Sequence, residues 1–139
     1  MKIVFADTLY WIAIVRPRDP WKSAAQEAMH SLGNTVIITT DEILIEFLNH
    51  LAEGGSQLRE QAVKMVGAIM DNPNVRVIPQ TRDSFLKGLS LYEQRADKGY
   101  SLTDCISMHT MKSESVTEVL TNDHHFEQEG FMVLIEKNL

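Results

Sequence analysis

Ile3-Val4-Phe5-Ala6-Asp7-Thr8 is a short apolar run that ends on a carboxylate, and Leu9 to Val15 continues it in a helical pattern. The same change recurs down the chain. Short β-branched runs at Ile3 to Ala6, Thr35 to Thr39, Arg76 to Ile78, Val116 to Leu120 and Met132 to Ile135 read as strands. Between them, Leu9 to Val15, Pro20 to Leu32, Asp41 to Ala52, Ser56 to Asp71, Arg82 to Ala96 and Leu102 to Lys112 read as helices. This alternation is the signature of an α/β domain with a mostly parallel sheet. Pro20 suits a first helical turn, Gly33-Asn34 a helical stop, Glu53-Gly54-Gly55-Ser56 the hinge of a helical hairpin, and Asp71-Asn72-Pro73-Asn74 a turn.

Four carboxylates fall where strand-like runs give way to helices, or early in the helix that follows: Asp7, Glu46, Asp104 and Asp123. In an open parallel sheet the ligand site lies outside the carboxyl ends of the strands, so all four converge on one edge in this reading. Like charges about 4 Å apart repel by roughly 4 kcal/mol at an effective dielectric near 20. A cluster of four therefore calls for a compensating partner, and a hard, oxygen-loving cation such as Mg²⁺ or Mn²⁺ supplies it.

Each acid also has a purely structural explanation. Asp7 and Asp123 could cap the helical turns that follow them, and Ser101-Leu102-Thr103-Asp104 fits a capping box. Glu46 falls on a helical wheel with Glu42, Asn49, His50 and Glu53, opposite Leu44, Leu48 and Leu51, so a solvated face accounts for it. A zinc site competes for the chemistry, with Cys105 and His109 spaced i, i+4 and His124-His125 downstream, but zinc ligand patterns are tighter than this. Cys105 reads as core and the two adjacent histidines as surface. No Gly-rich phosphate loop and no Gly-x-Ser-x-Gly elbow is present.

The bulk properties bound the answer. A chain of 139 residues, 44% hydrophobic, is the size of one domain with a sizeable core, and no boundary is expected within 1–139. One cysteine excludes an intramolecular disulfide. Asp7 interrupts the first apolar run, so a secretory pattern is not expected, and no apolar stretch approaches the ~20 residues that span a bilayer. A soluble, cytoplasmic protein without a membrane partner is the expectation. The net charge of −6 argues against broad nonspecific nucleic-acid binding but leaves a nuclease open, because part of that charge would belong to a metal site.

Val4-Phe5-Ala6-Asp7-Thr8, Ile43-Leu44-Ile45-Glu46-Phe47-Leu48, Ser101-Leu102-Thr103-Asp104-Cys105 and Leu120-Thr121-Asn122-Asp123-His124-His125-Phe126, taken in order and spacing, resemble the PIN-domain ribonucleases. The likeness is greatest to the VapC-type toxins of toxin–antitoxin pairs, and it covers the whole chain. It implies a PIN-like, three-layer α/β/α fold with a mostly parallel, twisted sheet of about five strands. It implies Asp7, Glu46, Asp104 and Asp123 as catalytic and metal-holding residues for Mg²⁺ or Mn²⁺, with Thr8 and Thr121 as hydroxyl neighbours. It also favours Glu46 over Glu42, which the helical wheel leaves open. Single-stranded RNA as substrate, a homodimer and a small antitoxin protein as partner follow from the same resemblance. The acidic balance departs from what a partner of RNA usually shows.

The mechanism that fits these residues is metal-assisted phosphodiester hydrolysis, with Arg16, Arg18, Lys22, Arg95, Lys98 and Lys112 as candidate phosphate contacts. Two rivals come from other classes. A catalytically idle PIN-like scaffold would bind protein or RNA partners and keep the acids for folding. An aspartyl-phosphate enzyme would need the second acid of an Asp-x-Asp-x-Thr motif, which Ala6-Asp7-Thr8 lacks.

Overall fold

Consecutive residues of a strand point to opposite faces of its sheet, so a strand buried residue after residue must be covered on both sides. Val4, Phe5 and Ala6 are each fully buried, and so are Ile37, Ile38, Thr39 and Thr40, which requires helices on both faces. The computed structural model describes residues 1–137 and has this architecture. Its strands are β1 (Lys2–Ala6), β2 (Thr35–Thr40), β3 (Val75–Ile78), β4 (Glu118–Leu120) and β5 (Met132–Val133). Its helices are α1 (Thr8–Val15), α2 (Lys22–Leu32), α3 (Asp41–His50), α4 (Ser56–Asp71), α5 (Arg82–Gln94), α6 (Leu102–Ser113) and α7 (His125–Gln128).

The sheet order is β3-β2-β1-β4-β5, and every pairing is parallel. Phe5 lies opposite Ile38 on one side and Val119 on the other. The chain runs outward from β1 to β2 to β3, then crosses back to place β4 against the free edge of β1. Right-handed crossovers put α1 to α4 on one face and α5 to α7 on the other. The point where the direction reverses, between β1 and β4, opens a crevice at the carboxyl ends of those two strands. Phe5, Phe47, Met108, Met111, Leu120 and Phe126 are among the fully buried side chains beneath it. Among the described residues, no helix is long and apolar enough to cross a membrane.

The element boundaries follow local chemistry. Thr40 accepts a hydrogen bond from the Ile43 amide at 3.1 Å and starts α3, while Thr81 and Ser84 form a capping box at α5. α2 begins at Lys22, two residues later than Pro20 suggests, because Asp19 Oδ1 accepts the Trp21 amide at 2.8 Å and holds the preceding turn. α5 ends at Gln94, since the Arg95 side chain turns to Glu129 Oε2 at 2.8 Å. β4 starts at Glu118, because the Val116 amide bonds back to Met111 at 2.8 Å and closes the end of α6. β5 is assigned as Met132–Val133, although the Leu134 and Ile135 amides continue its pairing to Val119 and Thr121.

The packing of α5 on α6 depends on Gly88. A Cβ built there would lie 2.4 Å from Ile106 Cγ1, 3.2 Å from Ile106 N and 3.3 Å from Ile106 Cα. Rotation of the Ile106 side chain would relieve the first contact and leave the two backbone ones. Gly88→Ala is expected to destabilise the protein by about 1–3 kcal/mol through overpacking, outweighing the gain of up to about 1 kcal/mol in helix propensity. Urea denaturation checks this. A midpoint at or above that of the native chain would mean the helices separate at no cost.

Candidate metal centre

The crevice between β1 and β4 is where the four acids meet. Asp7 ends β1, Glu46 projects from the second turn of α3, Asp104 sits in the first turn of α6, and Asp123 follows β4. Together with Thr8 and Thr121 they line one end of a cavity of about 560 Å³. Leu9, Ile12, Arg16, Asp19, Pro20, Trp21, His50 and Ser101 line the rest. The sheet topology brings Asp7 and Asp123 together across the β1–β4 seam, where the Asp7 amide donates to the Leu120 carbonyl at 3.3 Å.

Two hydroxyls fix two of the carboxylates. Thr121 Oγ1 donates to Asp7 Oδ2 at 2.8 Å and accepts the Asp123 amide at 3.2 Å. Thr8 Oγ1 donates to Glu46 Oε1. Glu46 is thus half-buried and anchored to α1, and a merely solvated face does not describe it. Glu42 lines a different cavity, with Thr81 and Phe85.

The capping readings are met in part. Asp7 occupies the N-cap position of α1 but makes no side-chain cap hydrogen bond. Asp104 completes the capping box: Ser101 Oγ accepts its amide at 3.0 Å, and its Oδ2 accepts the Ser101 amide at 3.1 Å. Asp123 Oδ1 accepts the His125 amide at 3.0 Å, an Asx-turn contact at the start of α7.

Burial pushes the Asp7 carboxyl up to about 7, against the hydrogen bond from Thr121, with the Asp104 and Glu46 charges raising it further. Burial also raises Asp104, and the charges of Asp123 and Glu46 add to the effect. Burial is the larger cause in both, and the neighbouring carboxylates add repulsion that a cation among them would relieve.

The zinc alternative is not met. Cys105 is fully buried in α6, where burial raises its thiol, and among the described residues neither it nor His109 joins a cluster of metal-ligating side chains. The two adjacent histidines differ from a plain surface reading. His124 is exposed beside Glu127, but His125 turns inward, with Nδ1 3.1 Å from Asp123 Oδ1 and 3.9 Å from Asp104 Oδ2. The only sequence signal for this is its place two residues after Asp123, at the start of a turn. Of the six basic residues considered for phosphate, only Arg16 lines the cavity. Arg95 and Lys112 are drawn to Glu129, at 2.8 and 3.6 Å.

The Asp7 shift fixes a sign. Its folded pKa lies above the ordinary 3.8, so between about pH 4 and 7 the folded state holds a proton that the unfolded chain releases. Stability from this group therefore falls as pH rises through that window, by at most about 4 kcal/mol. With a chelator present, Asp7→Asn is expected to melt above the native protein at pH 8 and to lose that advantage at pH 5. Thermal melts at the two pH values check it, and identical pH slopes would mean that the Asp7 carboxyl is not raised in the folded protein.

The comparisons with known proteins agree with this architecture. The PIN domain family model matches residues 4–131. The structure is similar to the crystal structure of VapC20 from Mycobacterium tuberculosis, described as a sarcin-ricin loop cleaving toxin, with a TM-score of 0.84 and 21% identity over 96% of this chain and 99% of that one. It is also similar to VapBC2 from Rickettsia felis, solved on a DNA fragment from its promoter, with a TM-score of 0.67 and 13% identity over 94% and 96% of the two chains. FitAcB from Neisseria gonorrhoeae gives 0.63 and 15% over the same shares. No curated protein sequence matches. A likeness at these identities speaks for the fold, whereas the family match spans nearly the whole chain: this chain belongs to the PIN domain family.

Proposed function

We propose that the chain is a metal-dependent endoribonuclease that hydrolyses phosphodiester bonds in single-stranded RNA and serves as the toxin of a toxin–antitoxin pair. The observation that carries this reading is the convergence of Asp7, Glu46, Asp104 and Asp123, from four separate segments, on one cavity of a PIN-family chain. The toxin part rests on the likeness to VapC20 and to the VapBC2 and FitAcB structures. A homodimer of one PIN-like domain per chain, residues 1–139, and a small antitoxin partner belong to the same proposal.

The donor set fits a hard divalent cation. All four acids offer carboxylate oxygen, the preferred ligand of Mg²⁺ and Mn²⁺, and the raised carboxyls of Asp7 and Asp104 would be relieved by positive charge among them. When bound, such a cation supplies a water of lowered pKa and a counter-charge for the phosphate oxygens. The chain's own groups do the rest. Thr121 and Thr8 hold Asp7 and Glu46 in fixed orientations, and the Ser101 capping box does the same for Asp104. Arg16 offers a guanidinium at the cavity wall for a neighbouring phosphate, with Asp19 3.9 Å away as its nearest acid. The apolar wall of Leu9, Ile12 and Trp21 gives bases a surface to rest on.

The purified chain is expected to cleave single-stranded RNA with Mg²⁺ or Mn²⁺ and to stop when a chelator is added. Asp104→Asn should lower the rate by on the order of 10²-fold or more while leaving the fold intact by circular dichroism. Expression without a partner should arrest growth, and the same substitution should relieve the arrest. Undiminished cleavage after thorough chelation would sink the metal mechanism. A folded chain that binds RNA but cleaves none of a diverse RNA pool would favour an idle scaffold.

A further inference from the structure

His125 turns its imidazole toward Asp123 and Asp104. Its ring is 36% exposed, yet Nδ1 is shut off from solvent and has no hydrogen-bond partner. That atom lies 3.1 Å from Asp123 Oδ1 and 3.9 Å from Asp104 Oδ2, and donor atoms from all three residues fall within 4.8 Å of one another. Asp123 Oδ1 already accepts the His125 main-chain amide at 3.0 Å, and the ring nitrogen is out of line for a second bond.

The ring is held in this orientation from behind. It packs edge-on against Tyr100, with centroids 5.4 Å apart and planes at 65°. The Tyr100 hydroxyl donates to Glu129 Oε2 at 2.9 Å, and Arg95 holds the same carboxylate at 2.8 Å. A nitrogen lone pair facing two carboxylates is repelled by both unless a proton or a metal cation lies between them. An all-oxygen set suits Mg²⁺, whereas an imidazole nitrogen adds affinity for first-row transition ions.

We propose that His125 Nδ1 is a donor to the metal centre, so that Asp104, Asp123 and His125 form a mixed oxygen–nitrogen set that favours Mn²⁺ over Mg²⁺. The inference rests on the metal-dependent reading above and refines which cation the site selects. The structural rival is an imidazole whose Nδ1 carries a proton and only steadies Asp123.

The test uses the full chain, stripped of metal and titrated calorimetrically with Mn²⁺ and with Mg²⁺, alongside His125→Ala and Asp104→Asn. His125→Ala should weaken Mn²⁺ by about tenfold or more and Mg²⁺ by less than about threefold. Electron spin echo measurements on the Mn²⁺-loaded native chain should show a directly bound nitrogen that is absent in the variant. Equal weakening of both cations, or a native Mn²⁺ signal without nitrogen coupling, overturns the assignment of His125 while leaving the carboxylate site standing. Failure of the native chain to bind either cation, or unchanged binding in Asp104→Asn, overturns the metal site and this assignment together. Should His125→Ala not fold, the nitrogen coupling in the native chain decides the question.

Discussion

Everything about this molecule turns on the hydrogen bond from Thr121 to Asp7, which joins residues 114 positions apart across the seam between β1 and β4. The seam exists because the chain reverses direction there, so the end of the first strand meets the end of the fourth. Asp7 is almost wholly buried, and a buried carboxylate is tolerated only when hydrogen-bonded or neutralised. The hydroxyl supplies one partner. Burial, with a smaller addition from the charges of Asp104 and Glu46, still raises the Asp7 carboxyl. A core of closely packed residues such as Phe5, Val119 and Leu120 below the seam keeps these groups from moving apart.

The capping and metal-site explanations of these acids are not exclusive. A capping box holds one carboxylate oxygen of Asp104 against the Ser101 amide, and this stiffens the side chain that faces Asp123. The Asx turn at Asp123 fixes its Oδ1 in the same way while placing His125 beside it. Helix-start chemistry is therefore the means by which the acids are aimed. In the same manner, Thr8 in the first turn of α1 supplies the hydroxyl that draws Glu46 inward.

The strands, the helices and the edge at which the acids gather were legible because each rests on local pattern: β-branched runs, turn residues, and acids at the ends of strands. Boundaries shifted where a long-range contact competed with local preference, as when Glu129 draws Arg95 out of α5 or Met111 claims the Val116 amide. Glu46 could not be separated from Glu42 by periodicity, because both lie on the polar side of α3. The motif resemblance favours Glu46, and in the structure Thr8, 38 residues away in sequence, draws it into the cavity while Glu42 lines another. His125 was read as surface because nothing local reveals which way a ring turns at the start of a four-residue helix. Its orientation rests on the edge-on packing of Tyr100, a contact 25 positions away in sequence.

The acidic balance weighs less against RNA than it first suggests. Of the 19 acidic residues, five line the cavity, Asp19 among them, and Arg16 lines it too, leaving 14 acidic against 12 basic residues elsewhere, a nearly even balance. Several of the basic residues are already paired, Lys2 with Glu118, Arg76 with Glu114, and Arg95 and Lys112 with Glu129. Phosphate contacts dominate nucleic-acid affinity and carry no sequence information. Seven of the 13 basic residues make no ion pair among the described residues, but none of these seven lines the cavity. Under the ribonuclease reading, the chain's selectivity has to come from the shape of the cavity, where Arg16 is the basic wall residue and Trp21 and Ile12 supply apolar contact.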